Sequence, residues 1–96
     1  MTDLEWSRHA LADLARLDAF LRAKNPRAAD DAIDLLLAAA HELITFPALG
    51  RPFEGPDDSY RELVVRFSNS GYLILYRYVD DIVDIQAVRH QSEENY

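Results

Sequence analysis

The spacing of apolar residues changes once along this chain, and that change constrains the fold more than any other feature. From Ala10 to Ile44 they recur at intervals of three and four, and from Tyr60 to His90 they alternate. The first spacing belongs to helices with one buried stripe, the second to strands with one buried face. A helical front and a strand-rich back are expected, an α+β chain read as a single domain over residues 1–96.

Local signals place the elements. A short extended piece, Asp3 to Trp6, precedes Ser7, which suits the N-cap of a first helix. Ala10, Leu14, Leu17 and Leu21 form its apolar stripe. Lys24-Asn25-Pro26 ends that helix and starts the next, with Asn25 as cap and Pro26 at the first position, where a missing N–H is harmless. The second helix is expected to run to about Thr45, with Ala29, Ile33, Leu36, Ala40, Leu43 and Ile44 on one side. So short a connection makes the pair an antiparallel αα-hairpin.

Phe46 to Pro52 closes the helical half, and Phe53 to Ser59 reads as a loop from its Gly, Pro and Asp content. Phe46, Leu49 and Phe53 are expected to pack the helix–loop junction, and Trp6 the core. Three strands follow: Tyr60 to Phe67 with Leu63, Val65 and Phe67 on one face, Tyr72 to Val79, and Ile82 to His90. Ser68-Asn69-Ser70-Gly71 and Asp80-Asp81 are turns, the first containing an Asn and a Gly that tolerate positive φ. The order β-α-α-β-β-β predicts a helical hairpin packed on one face of a small antiparallel sheet. The other face is expected to be exposed and to receive a partner or substrate.

Composition excludes several classes of function. The chain has no cysteine, which removes disulfides and thiolate metal sites, and its three histidines are scattered, so no metal site is expected. His9 and His41 read as structural or solvated. With only 3 glycines, none in a phosphate-cradling loop, no cofactor is expected. No stretch approaches the roughly 18 apolar residues of a membrane span, and the acidic start, Met1 to Glu5, does not read as a signal peptide. The expected location is cytoplasmic. Lys and Arg number 10 against 17 acids, a net charge of −7. That balance disfavours a protein that lives by neutralising phosphates, and direct sequence-specific nucleic-acid binding is not expected.

Several short motifs, taken in order, resemble a known family. They are Ala10, Asp13 and Leu14; Asn25-Pro26 with Ala28-Ala29; Phe46-Pro47-x-Leu49-Gly50-Arg51-Pro52; Arg61-Glu62-Leu63; Gly71-Tyr72 with Leu75-Tyr76-Arg77; and Val83-x-Ile85-x-Ala87-Val88-Arg89-His90. In order and spacing they resemble the RelE/ParE toxin superfamily, closer to the ParE branch. The resemblance implies a toxin bound as a hetero-oligomer by a cognate antitoxin whose C-terminal segment wraps and silences it. ParE-type members inhibit DNA gyrase, and RelE-type members cut mRNA in the ribosomal A site, so the fold alone does not choose between targets.

RelE-type cleavage needs cations at the scissile phosphate and a group that handles the 2′-hydroxyl proton. The candidates for that chemistry are Arg61, Arg77, Arg89, His90 and Tyr96. The chain departs from the RelE pattern at Leu73, where the resemblance would place a catalytic arginine. Candidates for target or antitoxin binding are Arg61, Arg66, Tyr72, Tyr76, Arg77, Arg89 and His90. Arg77 has an alternative reading as an internal ion pair with Asp80, Asp81 or Asp84, and Arg61 shares that ambiguity. Asp57-Asp58 reads as a solvated loop. Gln91 to Tyr96 is expected to fray unless Tyr96 packs back onto the sheet. Three readings remain open: a gyrase-poisoning toxin without chemistry of its own, a ribosome-dependent endoribonuclease, and a non-toxic member retained for antitoxin binding.

Overall fold

Two side-chain caps set the helical hairpin. In the computed structural model, which describes residues 2–96 and leaves Met1 outside, the Ser7 Oγ accepts the Ala10 N–H at 3.0 Å and opens α1 (Arg8–Arg22). The Asn25 side chain accepts the Ala28 N–H at 3.1 Å and opens α2 (Pro26–Thr45), with Pro26 in its first turn. Each cap satisfies an N–H that the helix itself leaves unpaired. Both lie at the predicted positions.

The sheet is five-stranded, in the order β1-β5-β4-β3-β2. Its members are β1 (Asp3–Trp6), β2 (Arg51–Pro52), β3 (Tyr60–Phe67), β4 (Ser70–Val79) and β5 (Ile82–His90). The expectation of an antiparallel sheet holds for β2 to β5 and is corrected at one edge. There β1 runs parallel to β5, pairing Asp3 with Ile82 through Trp6 with Ile85. The two helices carry the chain from β1 to the opposite edge at β2, and the β3–β4–β5 meander then returns it to lie beside β1. The sheet is therefore mixed, and β2 is a strand within the segment read as the end of the helical half.

The β3–β4 turn is tighter than the sequence suggests. Strand β4 begins at Ser70, paired with Phe67, which leaves only Ser68 and Asn69 in the loop. Positive φ falls on Ser68 (55°), not on Asn69 or Gly71. Gly71 sits inside the ladder instead, where a Cβ would lie 2.9 Å from the Val65 carbonyl oxygen. At the β4–β5 turn Asp80 and Asp81 both adopt positive φ, 53° and 62°, the backbone of a two-residue hairpin whose twist matches its strands.

The core lies between the hairpin and one sheet face. Leu36 and Leu43 of α2 meet Ile74, Val83, Ile85 and Val88, all fully enclosed, with Leu14 and Leu17 of α1 alongside. Each such side chain contributes about 1.5–3 kcal/mol by leaving water. Trp6 packs against this cluster, half-buried. Phe46 and Leu49 do not pack the junction as predicted: they are 58% and 49% exposed.

A bulge in β5 is held by α1. Leu75 pairs with Ala87 and Tyr76 with Ile85, so Gln86 is left over. The Ser7 hydroxyl donates to the Gln86 carbonyl at 2.9 Å, and the buried Asp13 carboxylate accepts the Val88 N–H at 2.9 Å. Backbone groups displaced by the bulge thus find partners on the helix.

Candidate functional site

Strand alternation puts four arginines on the sheet face away from the helices: Arg51 of β2, Arg66 of β3, Arg77 of β4 and Arg89 of β5. They come from four neighbouring strands, in a chain whose net charge is −7. Leu73, Leu75, Ala87 and Glu62 lie between them on the same face. This open face is the candidate site.

It is less open than the sequence suggests, because the C-terminal segment returns across it. Glu93 anchors that segment: its carboxylate accepts the His90 N–H at 2.9 Å and pairs with Arg16 Nη1 at 2.7 Å. Tyr96 then lies over the sheet, its ring edge-on to Phe53 at 5.9 Å and stacked on the Arg89 guanidinium at 4.9 Å. Its hydroxyl donates to Glu62 Oε2 at 2.5 Å. Tyr96 therefore packs back, and the segment is tied down.

Glu62 is the hub that sequence reasoning passed over. It is 5% exposed, and its second oxygen accepts Arg51 Nε at 3.0 Å and also Arg51 Nη2. Burial disfavours its charge, but the Tyr96 hydroxyl, Arg51 and Arg89 outweigh that and hold its pKa below the usual carboxylate range. For Tyr96, burial and the adjacent carboxylate push the phenol well above its ordinary value. The signal available in sequence was one terminal aromatic in an otherwise polar tail.

Three of the four arginines are already engaged. Arg51 holds Glu62. Arg77 donates from Nε to Ser59 Oγ at 2.8 Å and lies 3.6 Å from Asp57 Oδ2, so its partners come from the loop before β3, not from Asp80, Asp81 or Asp84. Asp57 is also bonded by the Ser59 hydroxyl and N–H, which lower its pKa. Arg89 donates to the Glu93 carbonyl beneath Tyr96, and its Nε is enclosed without a partner. Arg66 is exposed and forms no ion pair among the described residues.

The remaining candidates lie on the opposite, helix-facing side. The Arg61 guanidinium clamps the segment before β2, donating to the Gly50 carbonyl at 2.7 Å. Tyr76 has no exposed surface; its hydroxyl donates to the Pro47 carbonyl at 2.7 Å and accepts the Gly50 N–H at 2.9 Å. A side chain so enclosed has nothing to offer a partner, which removes Tyr76 from the binding candidates. Tyr72 is 5% exposed and packs against Phe67 and His90, a core residue that reaches the surface only at the wall of a cleft. Burial raises the pKa of both tyrosines.

That cleft, of about 580 Å³, lies between α1 and the β3–β4 turn. Leu17, Phe20, Leu21, Phe67 and Tyr72 give it an apolar lining, and Phe20 is 65% exposed. His90 stands at its wall with Nε2 3.1 Å from Ser70 Oγ and Nδ1 2.7 Å from Ser92 Oγ. The five residues proposed for RNA cleavage are thus not gathered. Arg77, Arg89 and Tyr96 are on one face of the sheet, and Arg61 and His90 are on the other.

A family model described as "ParE toxin of type II toxin-antitoxin system, parDE" matches residues 4–95. The chain belongs to the ParE toxin family. Within the wider RelE/ParE superfamily, it is 39% identical over 93 residues to "Toxin RelE3" of Caulobacter vibrioides, spanning 97% of this chain and 98% of the relative. "Toxin RelE1" of the same organism is 35% identical over 88 residues, 92% and 91% of the two chains. Among solved structures, "Chromosomal ParDE TA system from P. aeruginosa" superposes with a TM-score of 0.79 at 22% identity, covering 94% of this ParE-family chain and 96% of the other. The intact E. coli RelBE toxin–antitoxin complex follows at 0.61 and 17%, covering 98% and 100%. At those identities the structures speak for the fold alone. The chain is thus the toxin component of a type II toxin–antitoxin system, with family names on both the ParE and RelE sides. Among the described residues, no cluster of His, Asp and Glu is arranged to hold a metal, and no helix is long and apolar enough to cross a membrane.

Proposed function

We propose that this toxin acts by binding a protein target and performs no chemistry of its own, with DNA gyrase as the target and a cognate antitoxin as the neutralising partner. The observation that carries this reading is the division of Arg61, Arg77, Arg89, His90 and Tyr96 between two faces of the sheet. Cleavage of RNA needs a proton-transfer group and cations converging on one phosphate. Here His90 and Arg89 are adjacent in sequence and point to opposite faces, and Leu73 leaves no cation at the centre of β4. An antitoxin partner is supported by exposed apolar surface along the hairpin, where Phe20 borders the cleft beside α1 and Leu35 the groove beside α2. Purified toxin incubated with gyrase, DNA and ATP is expected to accumulate cleaved DNA, and added antitoxin to prevent it. Undisturbed supercoiling at saturating toxin would contradict the proposal.

A ribosome-dependent endoribonuclease is the second reading, favoured by four arginines on one face. It requires Arg89→Ala and His90→Ala each to abolish mRNA cleavage while leaving the fold intact. Unchanged cleavage in both variants sinks that assignment. The third reading, a non-toxic member, requires that induction without antitoxin leave growth unaffected.

A further inference from the structure

The C-terminal segment is fastened at its root and at its tip, and the residues between are exposed. At the root, the Glu93 carboxylate accepts the His90 N–H and pairs with Arg16. At the tip, Tyr96 meets Glu62, Phe53 and the Arg89 guanidinium. Glu94 and Asn95, which join the two, face water. The tip can lift without stranding the carboxylate below it, because Glu62 keeps Arg51 on its other oxygen.

What lies beneath and beside the tip is a continuous row. Arg89 of β5 pairs with Leu73 of β4, which pairs with Val64 of β3, and Arg66 follows on the same side of β3. Leu73 and its neighbour Ala87 are 7% and 3% exposed, although no helix lies on their side of the sheet. Val64 and Arg66, at the outer end of the row, are exposed. The covering segment matches this row incompletely. Arg89 donates to the Glu93 carbonyl, yet its Nε is enclosed without a partner. A buried donor left unpaired is costly, so an occupant that brings an acceptor there fits better than the segment itself.

We infer that this row is the surface with which the toxin grips its protein target, and that Tyr96 is a removable cover over it. The occupant that displaces Tyr96 is an acidic segment of the target that carries an aromatic hydroxyl. The inference rests on the reading of this chain as a protein-binding toxin, and it names the surface and the chemistry of the partner. Charge argues for an acidic segment. Once uncovered, the row presents Arg89 and Arg66, so a carboxylate is drawn here, whereas the net charge of −7 repels it elsewhere. The covering segment supplies the rest of the pattern, with Glu93, Glu94 and Tyr96 within its last four residues. A target segment of that composition gives its hydroxyl to Glu62 and a carboxylate to Arg89 Nε, above the apolar floor of Leu73 and Ala87. A second copy of this chain is a poorer occupant, because face-to-face pairing sets the arginines of one copy against those of the other.

The test compares the affinity for purified gyrase of the natural chain, Tyr96→Ala, Tyr96→Phe and Arg66→Glu, with circular dichroism checking the fold of each. A cover reduces apparent affinity in proportion to the fraction of molecules left open, so Tyr96→Ala is expected to bind about tenfold more tightly. Tyr96→Phe keeps the ring and is expected to fall between the two; it carries the test if Tyr96→Ala does not fold. Arg66→Glu, at an exposed position, is expected to weaken binding about tenfold. Unchanged affinity in all three variants overturns the proposal and leaves the gyrase reading standing. Weaker binding by both Tyr96 variants makes Tyr96 part of the contact and overturns its role as a cover. Tighter antitoxin binding by Tyr96→Ala with gyrase affinity unchanged, or self-association of that variant, names another occupant and also overturns the proposal. If neither the natural chain nor any variant binds gyrase, the underlying reading fails and the proposal fails with it.

Discussion

The Tyr96 hydroxyl donates to Glu62 Oε2 at 2.5 Å, and through that bond the last residue of the chain closes over the sheet face opposite the helices. The contact joins residues 34 positions apart and involves a carboxylate that is 5% exposed. Tyr96→Phe keeps the ring on Arg89 and Phe53 but removes the donor from a buried charge. A loss of about 1–3 kcal/mol is expected, read from urea unfolding of purified protein. A change within experimental error would show that the ring alone holds the segment.

The same pair predicts a stability maximum bounded on both sides. Glu62 ionises more readily in the folded chain, so its contribution is complete above about pH 4.3 and fades as pH falls through its depressed native value. Tyr96 holds its proton more tightly when folded, so its contribution is complete below about pH 10 and fades as pH rises beyond that. Melting temperature measured from pH 2 to 11 is expected to fall at both ends. In Tyr96→Phe the alkaline fall should shrink without vanishing, because Tyr72 and Tyr76 also have raised values.

Tyr76 fastens the segment between α2 and β2. Tyr76→Phe would leave the Gly50 N–H and the Pro47 carbonyl without their partner, at an expected cost of about 1–3 kcal/mol. Gly50→Ala attacks the same contact from the other side, since its Cβ would lie 2.7 Å from the Tyr76 hydroxyl and 3.0 Å from the Glu62 carbonyl. The two changes should be clearly less than additive in a double-mutant cycle. Full additivity would separate the two residues energetically.

Asp13→Ala strips the Val88 N–H of its acceptor at the β5 bulge. A loss of about 1–3 kcal/mol is expected, with faster exchange of the Val88 amide than of Ile74 in the neighbouring strand. Equal exchange at the two positions would mean that the bulge does not depend on α1.

Periodicity located both helices, both caps and the three long strands, because those features are written in local spacing. What it left out depends on distant partners. Residues 3–6 read as extended, but nothing in four residues says that they pair parallel to β5. Glu62 looks like a solvent-facing position in an alternating strand, and its partners are Arg51 of the neighbouring strand and Tyr96, 34 residues later. Arg89 and His90 look like one cationic site in sequence, and strand alternation separates them. Tyr76 stood among the binding candidates because the loop its hydroxyl meets, at the Pro47 carbonyl and the Gly50 N–H, cannot be told from its own strand.

The most direct test of the account is pulse labelling of DNA and protein synthesis in a bacterium within minutes of inducing this toxin without its antitoxin. The account predicts an early fall in thymidine incorporation, with methionine incorporation declining later. An early fall in methionine incorporation, with DNA synthesis still running, would contradict it and place the target at the ribosome.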